Sequence, residues 1–330
     1  MAINAWARTP DLRTLAVLFT LCVIPFICGI TRAQSLDSRP IRIIVPFAAG
    51  SVTDVVLRTV LPSVAQQIGS PVVVDNRAGA NGVIGADLVA KSTPDGLTYL
   101  MGGAGINAAI PSLVKTLPYD PINDLVPVVR FGMLPFLLLV NTKVPVRNVP
   151  QLIEYAKQQP GALAYGTPSS ATLVGMETLK RAANIDILGV PYKSSPQAMA
   201  DLVAGQIQVL IADFPTAMPQ VHAGKATVIA VTMAHRSALL PDIPTIGETL
   251  PGYDNTAWLG LFAPRGTPAA MMARLSDILT RAIETQDVKK KLAAIGFDAD
   301  PMPQSAFGPY VVDQIGIWGR LISESGIKPD

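Results

Sequence analysis

The stretch Val126-Pro127-Val128-Val129-Arg130-Phe131-Gly132-Met133-Leu134-Pro135-Phe136-Leu137-Leu138-Leu139-Val140-Asn141 is almost wholly apolar. It lacks the polar alternation of a strand with one wet face, and it is too long for one ordinary strand in one small sheet. It predicts a strand that leaves one sheet and enters another, a crossing between two lobes. A second apolar run, Ala257 to Ala263, follows Pro251-Gly252 and reads as the return crossing. Two crossings divide the chain unevenly. The first lobe then takes residues 34–133 together with 256–330, and the second takes residues 134–255.

Around these crossings, short β-branched runs alternate with longer amphipathic stretches, the pattern of a largely parallel sheet covered by helices. Ile41 to Val45 predicts the first strand and Asp54 to Ile68 the first helix. In that helix Leu57, Val60, Leu61, Val64, Ala65 and Ile68 form one apolar stripe, and Pro62 predicts a kink or a split. Strand Val72 to Val74, a glycine-rich loop over Asn76 to Gly82, helix Val83 to Ala90 and strand Leu97 to Met101 complete a βαβαβ unit. The middle of the chain predicts helices Val149 to Gln159, Ala171 to Ala183 and Gln197 to Val203. Strands are expected at Ala162 to Tyr165, Ile187 to Val190, Ile207 to Ile211 and Val228 to Val231. Helices Pro268 to Ile283 and Gln304 to Ser325 follow. The expected fold is a two-lobed α/β architecture with two crossing hinge strands and a cleft between the lobes. In open sheets of this kind ligands bind beyond the carboxyl ends of strands.

At 330 residues, with 49% apolar and 15% charged residues, the chain can fill two cores and is not a disordered polymer. A formal net charge of +2 offers no basic field for nucleic acid. The first 33 residues read as an export signal: Arg8 and Arg13 flank the apolar stretch Leu15 to Ile24, and Thr31-Arg32-Ala33 forms a small-x-small cleavage site. Pro25 and Gly29 interrupt that stretch, which argues against a retained anchor. Cleavage near Ala33 removes both cysteines, Cys22 and Cys28, and brings the formal net charge to zero. The remaining chain is expected to be secreted into an oxidising compartment, folded without disulfides and acting as a monomer.

Catalytic chemistry finds little support. His222 and His235 are the only histidines, and neither has a Cys, His or carboxylate at metal-ligand spacing, so no metal site is expected. No nucleophile elbow, Walker sequence or dinucleotide fingerprint occurs, and no cofactor or catalytic residue is assigned. Lys289-Lys290-Lys291 reads as a solvated helix face. Anion binding fits better, because two loops carry small, hydroxyl-bearing residues from a strand into a helix. One spans Phe47, Gly50, Ser51, Val52, Thr53 and Asp54. The other spans Gly166, Thr167, Ser169, Ser170, Ala171 and Thr172. Free N–H groups at a helix start favour a carboxylate. Thr53 or Asp54, and Ser170 or Thr172, equally serve as plain helix caps. Both readings stand at this point. Phe47, Tyr192 and Trp258 are candidates for apolar walls.

Four ordered motifs, Pro46 to Asp54, Val74 to Gly85, Thr93 to Gly96 and Val190-Pro191-Tyr192-Lys193, resemble the Bug family. These are the TctC-like substrate-binding proteins of tripartite tricarboxylate transporters, and the resemblance spans essentially the whole mature chain. It implies a periplasmic-binding-protein-like fold of type II. The implied function is a receptor that closes on a small organic acid and delivers it to an inner-membrane permease. Di- or tricarboxylates, aromatic acids and amino acids are the implied ligands. It further implies that the two loops above hold the ligand, partly through ordered waters, with Ala80 and Asn81 nearby. Asp213 matches a family aspartate near the hinge that could select a ligand amine; a helix cap is its other reading. The chain departs from the family pattern at Pro168 and Ser169, where the loop is usually glycine-rich, and at Met176, where a His is usual. A stiffer, more apolar rim is expected. A secreted two-domain enzyme and a ligand-sensing partner of a sensor kinase are the alternative functions for such a fold.

Overall fold

The computed structural model describes residues 39–237 and 239–329. The export signal expected over 1–33 lies outside them. The elements run β1 (Ile41–Val45), α1 (Val52–Ile68), β2 (Val72–Asn76), α2 (Val83–Ala90), β3 (Thr98–Gly103), a π-helical turn (Ala104–Ala109) and α3 (Ile110–Leu113). Then follow β4 (Leu125–Leu134), β5 (Phe136–Asn141), α4 (Val149–Gln158), β6 (Ala164–Thr167), α5 (Ser170–Ala183), β7 (Leu188–Pro191), α6 (Ser195–Ala204) and β8 (Val209–Asp213). The chain ends with α7 (Phe214–His222), β9 (Ala226–Val231), β10 (Ala257–Pro264), α8 (Ala269–Glu284), α9 (Gln286–Ala294), β11 (Asp298–Pro303) and α10 (Gln304–Glu324).

Two sheets organise these elements. One has the order β11-β4-β10-β3-β1-β2, the other β7-β6-β8-β5-β9. In each, the strands of the βαβ units are parallel: β1 with β2 and β3 in the first, β6 with β7 and β8 in the second. The sheets are nonetheless mixed, because β10 runs antiparallel to β3 and β4, and β5 antiparallel to β8 and β9. A strand that arrives from the other lobe enters against the direction of its new neighbours.

The long apolar run is two strands, one in each sheet, separated only by Pro135. Its uniform apolarity follows from burial: all six residues of β5 are buried, as is usual for a strand covered on both faces. The return crossing differs from the sequence expectation. Ala257 to Ala263 lies entirely within the first sheet as β10, and the crossing occurs upstream. There the Thr232 N–H donates to the Phe136 carbonyl (3.0 Å) and the Asn255 N–H to the Thr232 carbonyl (2.9 Å). The Thr232 hydroxyl donates to the Asn255 carbonyl at 3.2 Å. Phe136, Thr232 and Asn255 thus lie side by side as a hinge of three chain segments.

Helix α1 buries Leu57, Val60, Val64 and Ile68, together with Val56, against the first sheet. The kink or split expected at Pro62 does not end it; α1 continues unbroken with Pro62 on its exposed side. It stops at Gly69, whose φ of +74° caps the helix in the left-handed region.

Candidate functional site

Each lobe presents loops from the carboxyl ends of its parallel strands to the other, and a cavity of about 390 Å³ lies between them. The first lobe contributes Phe47 to Thr53 after β1, Gly103 to Ile106 after β3, and Trp258 from β10. The second contributes Pro168 to Ala171 after β6, Lys193 to Pro196 after β7, and Asp213 and Thr216 around the start of α7. The lobes touch here. Ser170 Oγ donates across the cleft to the Gly105 carbonyl at 3.3 Å.

The loop before α1 is held by a buried carboxylate. Gly50 has φ +80°, and a β-carbon there would meet nothing within 4 Å, so its glycine serves conformation rather than close packing. Its N–H donates to Asp54 Oδ2 at 3.0 Å; Asp54 Oδ1 accepts from Arg58 Nε (2.9 Å) and Asn76 Nδ2 (3.1 Å). Asn76 Nδ2 also donates to the Phe47 carbonyl at 3.1 Å. Burial alone would raise the Asp54 carboxyl, but the hydrogen bonds from Arg58, Gly50 and Asn76 outweigh it and hold the pKa below its ordinary value. Asp54 lies behind the loop and positions it. It does not line the cavity.

Neither helix is capped where the sequence suggested. Ser51 caps α1, its Oγ accepting from the Asp54 N–H at 3.4 Å, and Ser169 caps α5, its Oγ accepting from the Thr172 N–H at 3.4 Å. Thr172 returns the contact, accepting from the Ser169 N–H at 3.1 Å in a capping box. Capping and binding therefore do not compete. A cap satisfies the third N–H of a helix and leaves the first two without an intrahelical partner. Those of Val52 and Thr53 in one lobe and of Ser170 and Ala171 in the other belong to residues that line the cavity. The starts of α6 and α7 are poorer in donors. Pro196 and Pro215 there have no N–H to give.

Of the residues singled out from the sequence, Phe47, Gly50, Ser51, Val52, Thr53, Ser169, Ser170, Ala171 and Asp213 line this cavity. Six do not. Asp54 sits behind its loop. Ala80 and Asn81 are exposed in a separate 3-10 turn. Gly166 and Thr167 belong to β6, where a β-carbon on Gly166 would press into Ile207, Leu210 and Ala198. Thr172 is spent on the capping box. Trp258 and Phe47 form walls, whereas Tyr192 turns away and donates to Asp201 Oδ2 at 2.8 Å. Met176 is fully buried within α5 and does not line the cavity.

Two loops escaped the sequence reading. Gly102-Gly103-Ala104-Gly105 after β3 had a visible signal in its small residues. A β-carbon on Gly103 would lie 2.5 Å from the Trp258 carbonyl oxygen, so a larger residue would part β3 from β10. Ser194-Ser195-Pro196 carries a helix-start signature, a small polar residue followed by an early proline. Asp213 caps α7 through Oδ1, which accepts from the Thr216 N–H at 3.0 Å. It is 6% exposed, and Oδ2 has no partner among the described residues.

Two mixed α/β lobes on a short hinge, with the first residues of a helix from each lobe lining the cavity between them, define a solute-binding receptor of the periplasmic-binding-protein type. The chain belongs to the tripartite tricarboxylate transporter receptor family, whose TctC model matches residues 56–327. It is 32% identical over 325 residues to the protein BugT of Bordetella pertussis, covering 96% of this chain and 98% of that protein. Against a protein from the tcbD-tcbE intergenic region of Pseudomonas sp. strain P51 it is 35% identical over 301 residues, 89% of each chain. Among solved structures it is similar to R. palustris Rpa4515 with adipate, with a TM-score of 0.85 and 33% identity over 89% of this chain and all of that one. MatC of Rhodopseudomonas palustris with bound malate gives a TM-score of 0.79 and 30% identity over 86% and 99%. The periplasmic binding protein BugD gives 0.81 and 29% over 89% and 100%. Family and neighbours are receptors, and the chain is a receptor rather than an enzyme. No helix among the described residues is long and apolar enough to cross a membrane.

Proposed function

We propose that the chain works in the periplasm, captures a small organic carboxylate in the interlobe cavity, and delivers it to an inner-membrane permease of the tripartite tricarboxylate type. The observation that carries this reading is the pairing of unpartnered N–H groups at Val52 and Thr53 with those at Ser170 and Ala171, one set from each lobe. Each helix start places about half a positive charge at the cavity, so one carboxylate gripped from both sides rewards closure. The apolar walls from Phe47, Phe136 and Trp258 exclude water and strengthen that attraction. The adipate and malate bound by two structural neighbours are consistent with a carboxylate. Asp213, with one oxygen free, favours a hydrogen-bond donor on the ligand at the α7 side and disfavours an anion there.

A thermal-shift screen of di- and tricarboxylates, aromatic acids and amino acids tests the reading. A ligand at a hundred times its Kd stabilises the native state by about 2.7 kcal/mol, a readily measured rise in melting temperature. The ligand is expected back chemically unchanged at one per chain. A screen in which only uncharged solutes stabilise the protein would overturn the proposal.

Closure supplies a separate expectation. A β-carbon on Gly105 would lie 3.0 Å from Ser170 Oγ across the cleft, so Gly105→Leu should prop the lobes apart. Wild type is expected to contract in X-ray scattering when ligand is added. The variant should keep its unliganded melting temperature, bind at least tenfold more weakly and fail to contract. Full contraction of Gly105→Leu would show that the lobes do not meet there.

A further inference from the structure

We propose that Lys193 reads a second anionic group on the ligand, so that the cavity selects dianionic over monoanionic acids. The inference rests on the carboxylate reading above and adds to it a residue and a charge count. Among the described residues that line the cavity, Lys193 is the one cation and Asp213 the one anion. Lys193 is exposed at the rim and makes no hydrogen bond or ion pair with any described residue. Basic side chains elsewhere in the two lobes have carboxylate partners: Arg58 with Asp54, Arg77 with Asp75, Lys180 with Glu177. An unpaired ammonium facing a cavity with apolar walls is a recognition group awaiting a charge.

Strand order fixes where that charge must lie. The second sheet runs β7-β6-β8, so the loop after β6, with its open N–H groups at Ser170 and Ala171, stands between the Lys193 loop after β7 and Asp213 at the end of β8. Neighbouring strands lie about 4.8 Å apart. A carboxylate at the start of α5 is therefore flanked by a cation on one side and an anion on the other. The remainder of the ligand is steered toward Lys193 if it ends in a second anionic group, because Asp213 repels that group from the opposite side. The flanking loop is held in place: Tyr192, immediately before Lys193, is anchored to Asp201, and Pro196 fixes the first turn of α6.

The test uses matched pairs that differ by one charge: glutarate, adipate and isophthalate, each against its own monomethyl ester, titrated calorimetrically into wild type and Lys193→Met. For the diacid that binds wild type best, a preference of tenfold or more over its half-ester is expected. In Lys193→Met that ratio should fall to within about threefold, because the diacid weakens while the half-ester keeps its affinity and the unliganded melting temperature is unchanged. Lys193→Glu should invert the preference. A ratio that survives Lys193→Met, or a half-ester that binds wild type as well as its diacid, would overturn the role of Lys193 while leaving the carboxylate site intact. Absence of binding by every acid and half-ester would overturn both.

Discussion

Ser169→Asp is expected to fold with a melting temperature equal to or above that of wild type and to lose its response to carboxylate. Ser169 caps α5 and lines the cavity. An aspartate caps about as well as a serine, and its charge at a helix start adds roughly 0.3–1 kcal/mol. In a helix that is merely capped, the substitution is harmless. Beside a bound carboxylate it sets two negative charges about 4 Å apart, which at an effective dielectric of about 20 costs about 4 kcal/mol. That outweighs the capping gain several-fold and weakens binding by on the order of a hundredfold or more. Calorimetry on the folded variant decides between the two. Wild-type affinity would return this loop to the status of an ordinary helix cap.

Asp54→Ala is expected to damage both stability and binding although its side chain does not face the cavity. The substitution removes the acceptor of the Gly50 N–H, one of the two acceptors of Asn76 Nδ2 and the ion partner of Arg58. Unsatisfied groups at a site where Asp54 is 3% exposed should cost about 2–4 kcal/mol in denaturant unfolding. Affinity should fall by on the order of tenfold, because the α1 loop is no longer held in its binding form. The conservative Asp54→Asn gives the sign with pH. The folded pKa of Asp54 lies below the unfolded value of 3.8, so the ionised group stabilises fully above that value. Its contribution is lost as pH falls through the folded pKa. The stability gap between wild type and Asp54→Asn should therefore be widest near neutrality and close in acid. A gap independent of pH would show that the charge of Asp54 is not what holds the loop.

Much of the architecture was legible because it rests on local periodicity. The apolar stripe of α1, the βαβαβ unit and the crossing at Pro135 each follow from which side chains must be buried. The return crossing was not, since Ala257 to Ala263 is as apolar as a crossing strand needs to be. Only its pairing with β3 and β4 places it inside one sheet. Strand β11 was missed for a related reason. Asp298 to Pro303 contains Pro301 and Pro303 and reads as a loop, yet it pairs as an edge strand with β4 across an irregularity between Ala299 and Met302. Helix α7 was hidden by Pro215 and Pro219.

The two helix-start loops were readable from the sequence, and their caps were not. Loops of small hydroxyl residues ahead of helices pointed to two segments that line the interlobe cavity, but Ser51 and Ser169, not their neighbours, are the caps. A one-residue shift decides which N–H groups remain open, and sequence spacing alone does not resolve it. Asp54 was read among the contact residues, whereas its side chain braces the loop from behind through Asn76 of β2, 22 positions away. Lys193 was quoted as part of a motif, and its place at the rim emerges only from the strand order of the second sheet.

The central claim is that one carboxylate is gripped by helix starts from both lobes. Titrating an isotopically labelled sample with its best carboxylate ligand and following backbone amide resonances tests this at the atoms concerned. The account predicts that the N–H signals of Val52 and Thr53 in one lobe, and of Ser170 and Ala171 in the other, shift together. They should saturate at one ligand per chain and stay in place when the ligand's carboxylate is replaced by its neutral amide. Shifts confined to one lobe, or equal shifts with the neutral amide, would contradict it.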